Sequence, residues 1–401
     1  MNLKKSIKSL VLWAALSGLM GLLGGAVGAA FAGAVSAVTN LRQNNSWLIF
    51  LLPVAGVLSV AVSRGLKAGG FGTVKVFDCA RQEQQKMPLN LSVSVFIGTV
   101  LTHLCGGSAG KEGAALQIGG GLSAVVSKVF KISKEREKTL ILCSMAALFS
   151  AVFGTPLTAA VFVIEALRLK KQRFWEILPC LISSFSGFAV ACALGVEPER
   201  FHITAIENVD ALLVAALLCV VVLSSLTGEL FCFTLRIVGD GAKKVLKNDY
   251  LRIFAGGLLV VLITLIIGNY EYNGSSADIL HNIFASGKVR CEAFALKFLL
   301  TVITVGFGFK GGQIIPSLFI GAALGGAVAL VFGVSVPMAA ALGLAASFCA
   351  VTNCTLASVL LCLELFGGKA IVFLAAAVVI SRLISGRINL YGDTPPIFRK
   401  N

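Results

Sequence analysis

Glu112 is the side chain best placed to do chemistry. It lies in GGSAGKEGAALQIGG, residues 106–120, where six of fifteen positions are glycine and Lys111 is its neighbour. Glycine-rich backbone that leads straight into an apolar helix leaves the first helical amides unpaired and exposes the positive end of the dipole. Such an end holds an anion with partial charges alone, weakly enough to release it, as conduction requires. A carboxylate in the first turn can occupy that position itself. Protonation, or an arriving anion, would displace it, so one side chain can serve as gate and proton carrier. The plainer alternative is a glutamate that complements the dipole or pairs with Lys111.

A second stretch repeats the pattern. GFGFKGGQIIPSLFIGAALGG (306–326) aligns with the first at an offset of 202, with Gly106/Gly308, Gly110/Gly312, Ile118/Ile320 and Gly119/Gly321 identical, and Gln313 closes its glycine break. Downstream, AALFSAVFGTPLTAAVFVIEAL (146–167) aligns with AASFCAVTNCTLASVLLCLELF (345–366) at an offset of 199, so a three-residue indel separates the two registers. In apolar sequence the order of parts carries more weight than the identities. Paired, glycine-interrupted segments in two halves, 1–200 and 201–401, are the mark of a transporter whose broken helices point at a midplane site. Two similar hairpins with glycines at packing contacts are the alternative.

The rest of the chain supplies elements to position these residues. Of 401 residues, 57% are hydrophobic and 13% charged, with mean hydropathy +0.91, whereas soluble domains carry about a quarter charged residues. Apolar runs recur at Leu10–Ala37, Trp47–Val62, Leu91–Leu104, Thr139–Val152, Ala211–Leu226, Ile253–Ile267, Leu318–Phe332 and Ile371–Ile380. They predict an all-α polytopic membrane protein, integral to a lipid bilayer. The first run is too long for a signal peptide and reads as a retained membrane helix. The net charge of +15 is gathered at both termini and in 128–138, 168–173 and 241–252. That pattern marks cytoplasmic loops and cytoplasmic termini and not a nucleic-acid surface.

Eleven scattered cysteines and three histidines without common spacing point to no metal site and no cofactor. The GKEG run is not a phosphate loop, because no Ser or Thr follows the lysine. With no nucleophile–base pair either, nothing argues for an enzyme. Glu165 and Glu364 close apolar helices and read as interfacial ion pairs with Arg168 or Lys369, or as proton shuttles. Tyr391, in RINLYGDTPP after the last apolar run, reads as an interfacial anchor.

These residues carry a family resemblance. GKEGAALQIGG resembles the GREGP motif of the CLC chloride channels and transporters, and GGQIIPSLFIGA resembles their GGIFAPSLFIGA-type second-half motif. FGTPLTAAVFVIEAL resembles their segment of the form FNAPLAGILFIIEE, and the order matches from about residue 10 to 392. The resemblance implies an inverted-repeat homodimer of about 18 helices per chain, many tilted or partial, in a bacterial inner membrane. It further implies that Glu112 is the external gating glutamate, and that backbone at Gly110 and Lys111 and the amides of Gln313 and Ile314 surround the anion. Tyr391 would be the inner hydroxyl ligand. Apart from what the resemblance implies, Glu165 and Gln313 are second-tier candidates for a proton path.

The departures are informative. Where the family has its serine motif, this chain reads GGFGTVKVF (69–77), with Thr73 or Phe71 at the serine position. Ala114 replaces the proline after the gate, and Ala166 stands at the internal proton glutamate. GFGFKGGQIIP and FGTPL resemble the fluoride-exporting branch, in which a glutamate often stands where Gln313 is. The expected function is halide transport, fluoride export in exchange for protons. The alternatives are a chloride/proton exchanger or passive chloride channel, and, from another class, a non-transporting membrane scaffold.

Overall fold

The computed structural model describes residues 3–81, 86–167, 174–203 and 210–392. Among them the chain forms sixteen α-helices, two short 3-10 segments and no strand. The first half holds α1 (Leu3–Asn44), α2 (Leu52–Gly65), α3 (Thr73–Arg81), α4 (Leu91–Leu104), α5 (Glu112–Val129), α6 (Lys134–Phe153), α7 (Pro156–Leu167) and α8 (Ile177–Ala193). The second holds α9 (Ala211–Val245), α10 (Asp249–Ile267), α11 (Ala277–Ser286), α12 (Ala293–Gly306), α13 (Ile314–Phe332), α14 (Val336–Thr352), α15 (Thr355–Phe366) and α16 (Ile371–Ile384).

The two series correspond helix for helix. α4 and α12 have 14 residues each and both ends differ by 202; α7 and α15 have 12 each and differ by 199. The three-residue indel has a location. α6 has 20 residues and α14 has 17, so the extra three are the polar first turn of α6, Lys134–Arg136. Both of these helices then end on a left-handed residue, Gly154 (φ 75°) and Asn353 (φ 55°), the conformation that glycine and asparagine tolerate at a helix C-terminus.

Among the described residues five helical spans are long and apolar enough to cross a membrane: Val11–Asn44, Ser46–Gly65, Ala211–Val245, Asp249–Ile267 and Ile314–Phe332. The 42 residues of α1 make a helix about 63 Å long, roughly twice the hydrocarbon thickness, so it is strongly inclined or runs beyond the hydrocarbon. Many others, at 9 to 14 residues, are too short to span a bilayer alone. Such half-length helices are the expectation for broken segments.

The chain forms two compact units: Met1–Ala34 with Ser63–Phe96 and Glu112–Glu199, and Val35–Val62 with Ile97–Lys111 and Arg200–Asn401. Small residues set the packing in each. In the first unit, Gly21, Gly24, Gly25 and Gly28 put one face of α1 against Ser183 and Gly187 of α8 and Ala147 and Ala151 of α6, with room for no side chain. In the second, Gly321 and Gly325 of α13 meet the carbonyls of Gly343 and Ala339 of α14. Residues four apart share a helix face, and small residues so spaced let helix backbones approach closely in lipid.

Candidate functional site

The centre of the site is a pair of backbone hydrogen bonds. Gly110 N donates to Gly312 O at 2.8 Å and Gly312 N donates to Gly110 O at 2.7 Å, in antiparallel sense. These glycines are repeat-equivalent, 202 residues apart. Two equivalent residues can exchange both bonds in this way only about a local two-fold axis. The repeat is therefore inverted where its two breaks meet.

Glycine is required on both strands of this junction. Gly106 (φ +78°) and Gly308 (φ +107°), again equivalent, turn the chain out of α4 and α12 in a conformation L side chains rarely adopt. A Cβ on Gly311 would stand 2.5 Å from the Ala109 Cβ. Residue 109 is the equivalent of 311, so only one of the two repeats has room for a methyl group there.

Two residues past each bridge glycine a helix begins. α5 starts at Glu112 and α13 at Ile314. Gln313 is thus the N-cap residue of α13, without a side-chain cap bond, while Ile314 is fully buried. Glu112 occupies the first turn of α5 with only 1% of its surface exposed. Burial of an ionisable group in an apolar protein is expensive and marks function. Lys111 is half-buried.

Thr73 is hydrogen-bonded to the first turns of α5. It opens α3, accepts a hydrogen bond from Gln117 Nε2 at 3.0 Å, and donates to Gly113 O at 3.4 Å. Its proton is therefore held only by a long contact one residue past Glu112. Phe71, 9% exposed, instead packs beneath Lys75, whose ammonium lies 5.8 Å from the ring centroid. Of the two candidates for the serine position, Thr73 alone carries a hydroxyl, and it is joined to α5.

The reading of Tyr391 as an interfacial anchor is corrected. It is among the largest fully buried side chains, 1% exposed. The neighbouring Leu390 N donates to Val351 O of α14 at 2.9 Å, and Asn389 Oδ1 receives the Tyr391 amide at 2.9 Å. Anchors face the headgroup region; this ring is inside the protein. Glu165 and Glu364 are half-buried on the last turns of α7 and α15. The suggested partner Arg168 lies outside the described residues, as does the rest of 168–173. At the same end of α7, Arg81 Nε donates to Leu167 O at 2.9 Å, and Arg81 is paired with Asp78 at 2.8 Å. A cation there complements the helix C-terminus.

Sequence reasoning missed a buried polar cluster in the second unit. Lys297 of α12 is fully buried, and its ammonium donates to Gly274 O (2.6 Å), Ser276 Oγ (2.9 Å) and Tyr272 O (3.2 Å). Arg42, 7% exposed, lies against Gly106 and Gly274, and Asn273 Nδ2 donates to Gly106 O at 2.9 Å. A lysine within the apolar run AFALKFLLTVITVG was the available signal.

Paired broken helices opening from an inverted junction define a polytopic membrane protein of the repeat-built transport class. The comparisons with known proteins make this specific. The family model for the voltage-gated chloride channel matches residues 55–386. The "Chloride/fluoride channel protein" of Pseudomonas syringae pv. tomato is 33% identical over 386 residues, 94% of this chain and 85% of that one. A solved CLC-type fluoride/proton antiporter matches with a TM-score of 0.89 at 28% identity, over 95% of this chain and 97% of that one. A slow cyanobacterial Cl-/H+ antiporter matches with a TM-score of 0.78 at 19% identity, over 93% and 94%, a likeness of fold. The chain belongs to the voltage-gated chloride channel (CLC) family, and is an integral, multi-pass membrane protein with the inverted-repeat fold of that family.

Proposed function

We propose that this protein carries halide anions across the membrane in exchange for protons, with fluoride as its exported ion. The observation that carries the reading is the reciprocal Gly110–Gly312 pair, from which α5 and α13 each open two residues later. Each opening presents unpaired amides to an anion without a fixed charge. Glu112 is the carboxylate that takes the anion's place and leaves it when protonated. Backbone at Gly110, Lys111, Gln313 and Ile314 and the hydroxyls of Thr73 and Tyr391 are the proposed ligands. Glu165, beside the Arg81-capped end of α7, is the proposed second-tier proton group, with Gln313 lining the same proposed path without itself carrying the proton.

The choice of fluoride is supported by the names of two relatives, the Pseudomonas chloride/fluoride channel protein and the solved fluoride/proton antiporter. Fluoride is small and strongly hydrated, so its path must offer strong hydrogen-bond donors, and Thr73 is the hydroxyl proposed to serve in place of the family's serine. The same reading takes residues 1–200 and 201–401 as the two repeats, in a homodimer. It puts both termini and the basic loops on the cytoplasmic side of a bacterial inner membrane.

Passive chloride conduction is the second reading, favoured by Gln313, whose amide cannot hold a proton. Purified protein in liposomes, with efflux followed by fluoride- and chloride-selective electrodes, decides between them. Faster fluoride than chloride release supports the proposal; chloride outrunning fluoride overturns the choice of ion.

A further inference from the structure

The buried ammonium of Lys297 is unusual in its partners. A charge taken out of water is ordinarily met by a countercharge, but the three acceptors of Lys297 are two backbone carbonyls and a hydroxyl, none of them a carboxylate. This is an all-oxygen cage of the kind that holds a monovalent cation, with the cation tethered to α12.

The cage is joined directly to the first glycine break, because both share the same two carbonyls. Gly274 O accepts from Lys297 Nζ and also from Ala109 N at 3.1 Å; Tyr272 O accepts from Lys297 Nζ and also from Ser108 Oγ at 3.1 Å. Gly274 N returns a bond to Gly107 O at 3.2 Å. On the α12 face that carries Lys297, Thr301 Oγ1 meets Ser108 Oγ at 3.0 Å and Thr304 Oγ1 receives Ser108 N at 3.1 Å. The break that ends at Gly110 is thereby fixed from three directions.

The repeat shows which part of this arrangement the fold does not need. At the offset of 202, Thr301 and Thr304 correspond to Thr99 and Thr102 of α4, so the hydroxyls recur. Lys297 corresponds to Val95, which is fully buried and apolar. A helix of the same length, ending in the same kind of break, thus forms without a charge at this position. The lysine belongs to the break that leads to Glu112 and is absent from the α4 face of the repeat.

We propose that Lys297 is a positioning residue for transport. Its ammonium gathers the 272–276 carbonyls and hydroxyl, and through them holds residues 107–110 in the geometry from which the Glu112 helix starts. The inference rests on the halide-transport reading above.

The test begins with wild-type protein in liposomes and a fluoride electrode. A wild type without halide efflux refutes the transport reading and this inference with it; an active wild type with an unaffected variant refutes the inference alone. Lys297→Ala is expected to slow efflux by about tenfold or more, the range for deleting hydrogen bonds made by a charged group, while eluting as wild type on size exclusion. Adding n-propylammonium, which replaces the deleted atoms, is expected to restore efflux, and neutral n-propanol is not. Lys297→Met, which fills the space without charge, is expected to stay slow with either additive. Wild-type efflux in either variant, no restoration by the amine, or equal restoration by the alcohol would each overturn the proposal. Should the Lys297 variants fail to fold, Ser276→Ala decides: severalfold slower efflux supports the cage, and unchanged efflux overturns it.

Discussion

Adding one methyl group to Gly321 is a stringent trial of how the α13 helix is seated. A Cβ at this position would stand 2.3 Å from Gly343 O and 2.5 Å from the Ser347 Cβ. The approach is mutual, since a Cβ on Gly343 would stand 2.1 Å from Gly321 O. Cβ atoms do not approach carbonyl oxygens so closely, so α13 and α14 must part by roughly 1 Å in an interior packed as densely as an organic crystal. Overpacking of this kind costs about 1–3 kcal/mol, and the obstacle here is backbone, which cannot rotate away. Gly119 of α5 is the equivalent position, where a Cβ would stand 2.7 Å from Ser144 O and 2.8 Å from the Met145 Cα. Ser144 and Gly343 are themselves equivalent at the offset of 199, so the two crossings are one contact made twice with different clearance. Gly321→Ala is therefore predicted to destabilise more than Gly119→Ala, by about 2 kcal/mol against about 1. At about 2–4 °C per kcal/mol, fluorescence-detected size exclusion after heating should show Gly321→Ala lower by roughly 4–8 °C. A Gly321→Ala protein that melts with wild type, or above Gly119→Ala, would refute the packing argument.

Two substitutions probe the hydroxyls. Thr73→Val removes the acceptor of Gln117 Nε2, and is predicted to lower apparent fluoride affinity about fivefold and stability by about 1 kcal/mol, with Thr73→Ser near wild type. Concentration-dependent efflux measures the first, and wild-type affinity in the valine variant would remove Thr73 from the anion path. Tyr391→Phe keeps the buried ring and deletes one oxygen. Isothermal titration with fluoride is predicted to show about fivefold weaker binding with an unchanged melting temperature; unchanged binding would leave Tyr391 a purely structural residue.

The glycine breaks and the offsets of 202 and 199 were legible because repeats leave their register in the chain. Even the indel is visible, as one polar turn at the start of α6. Glu112 and Gln313 stood out because charge and amide are rare in apolar sequence. The cage around Lys297 was not legible. Its partners lie 21 to 25 residues away, and they hold a break 164 to 167 residues away in sequence. Backbone carbonyls carry no residue-type signature, so a lysine in an apolar helix shows that something must meet its charge without showing what. Tyr391 was misread for a related reason: position after the last apolar run resembles an interface, and only the Leu390–Val351 bond reveals the chain turning inward.

The central claim is that Glu112 alternates with a halide at the start of α5 and carries the exchanged proton. Liposomes loaded with fluoride, in fluoride-free medium with no initial pH gradient, test it directly when a fluoride electrode and a pH electrode record together. The account predicts that fluoride efflux drives protons inward until a pH gradient builds, and that Glu112→Gln abolishes this proton movement. Fluoride efflux without proton uptake in the wild type, or proton uptake that persists in Glu112→Gln, would contradict it.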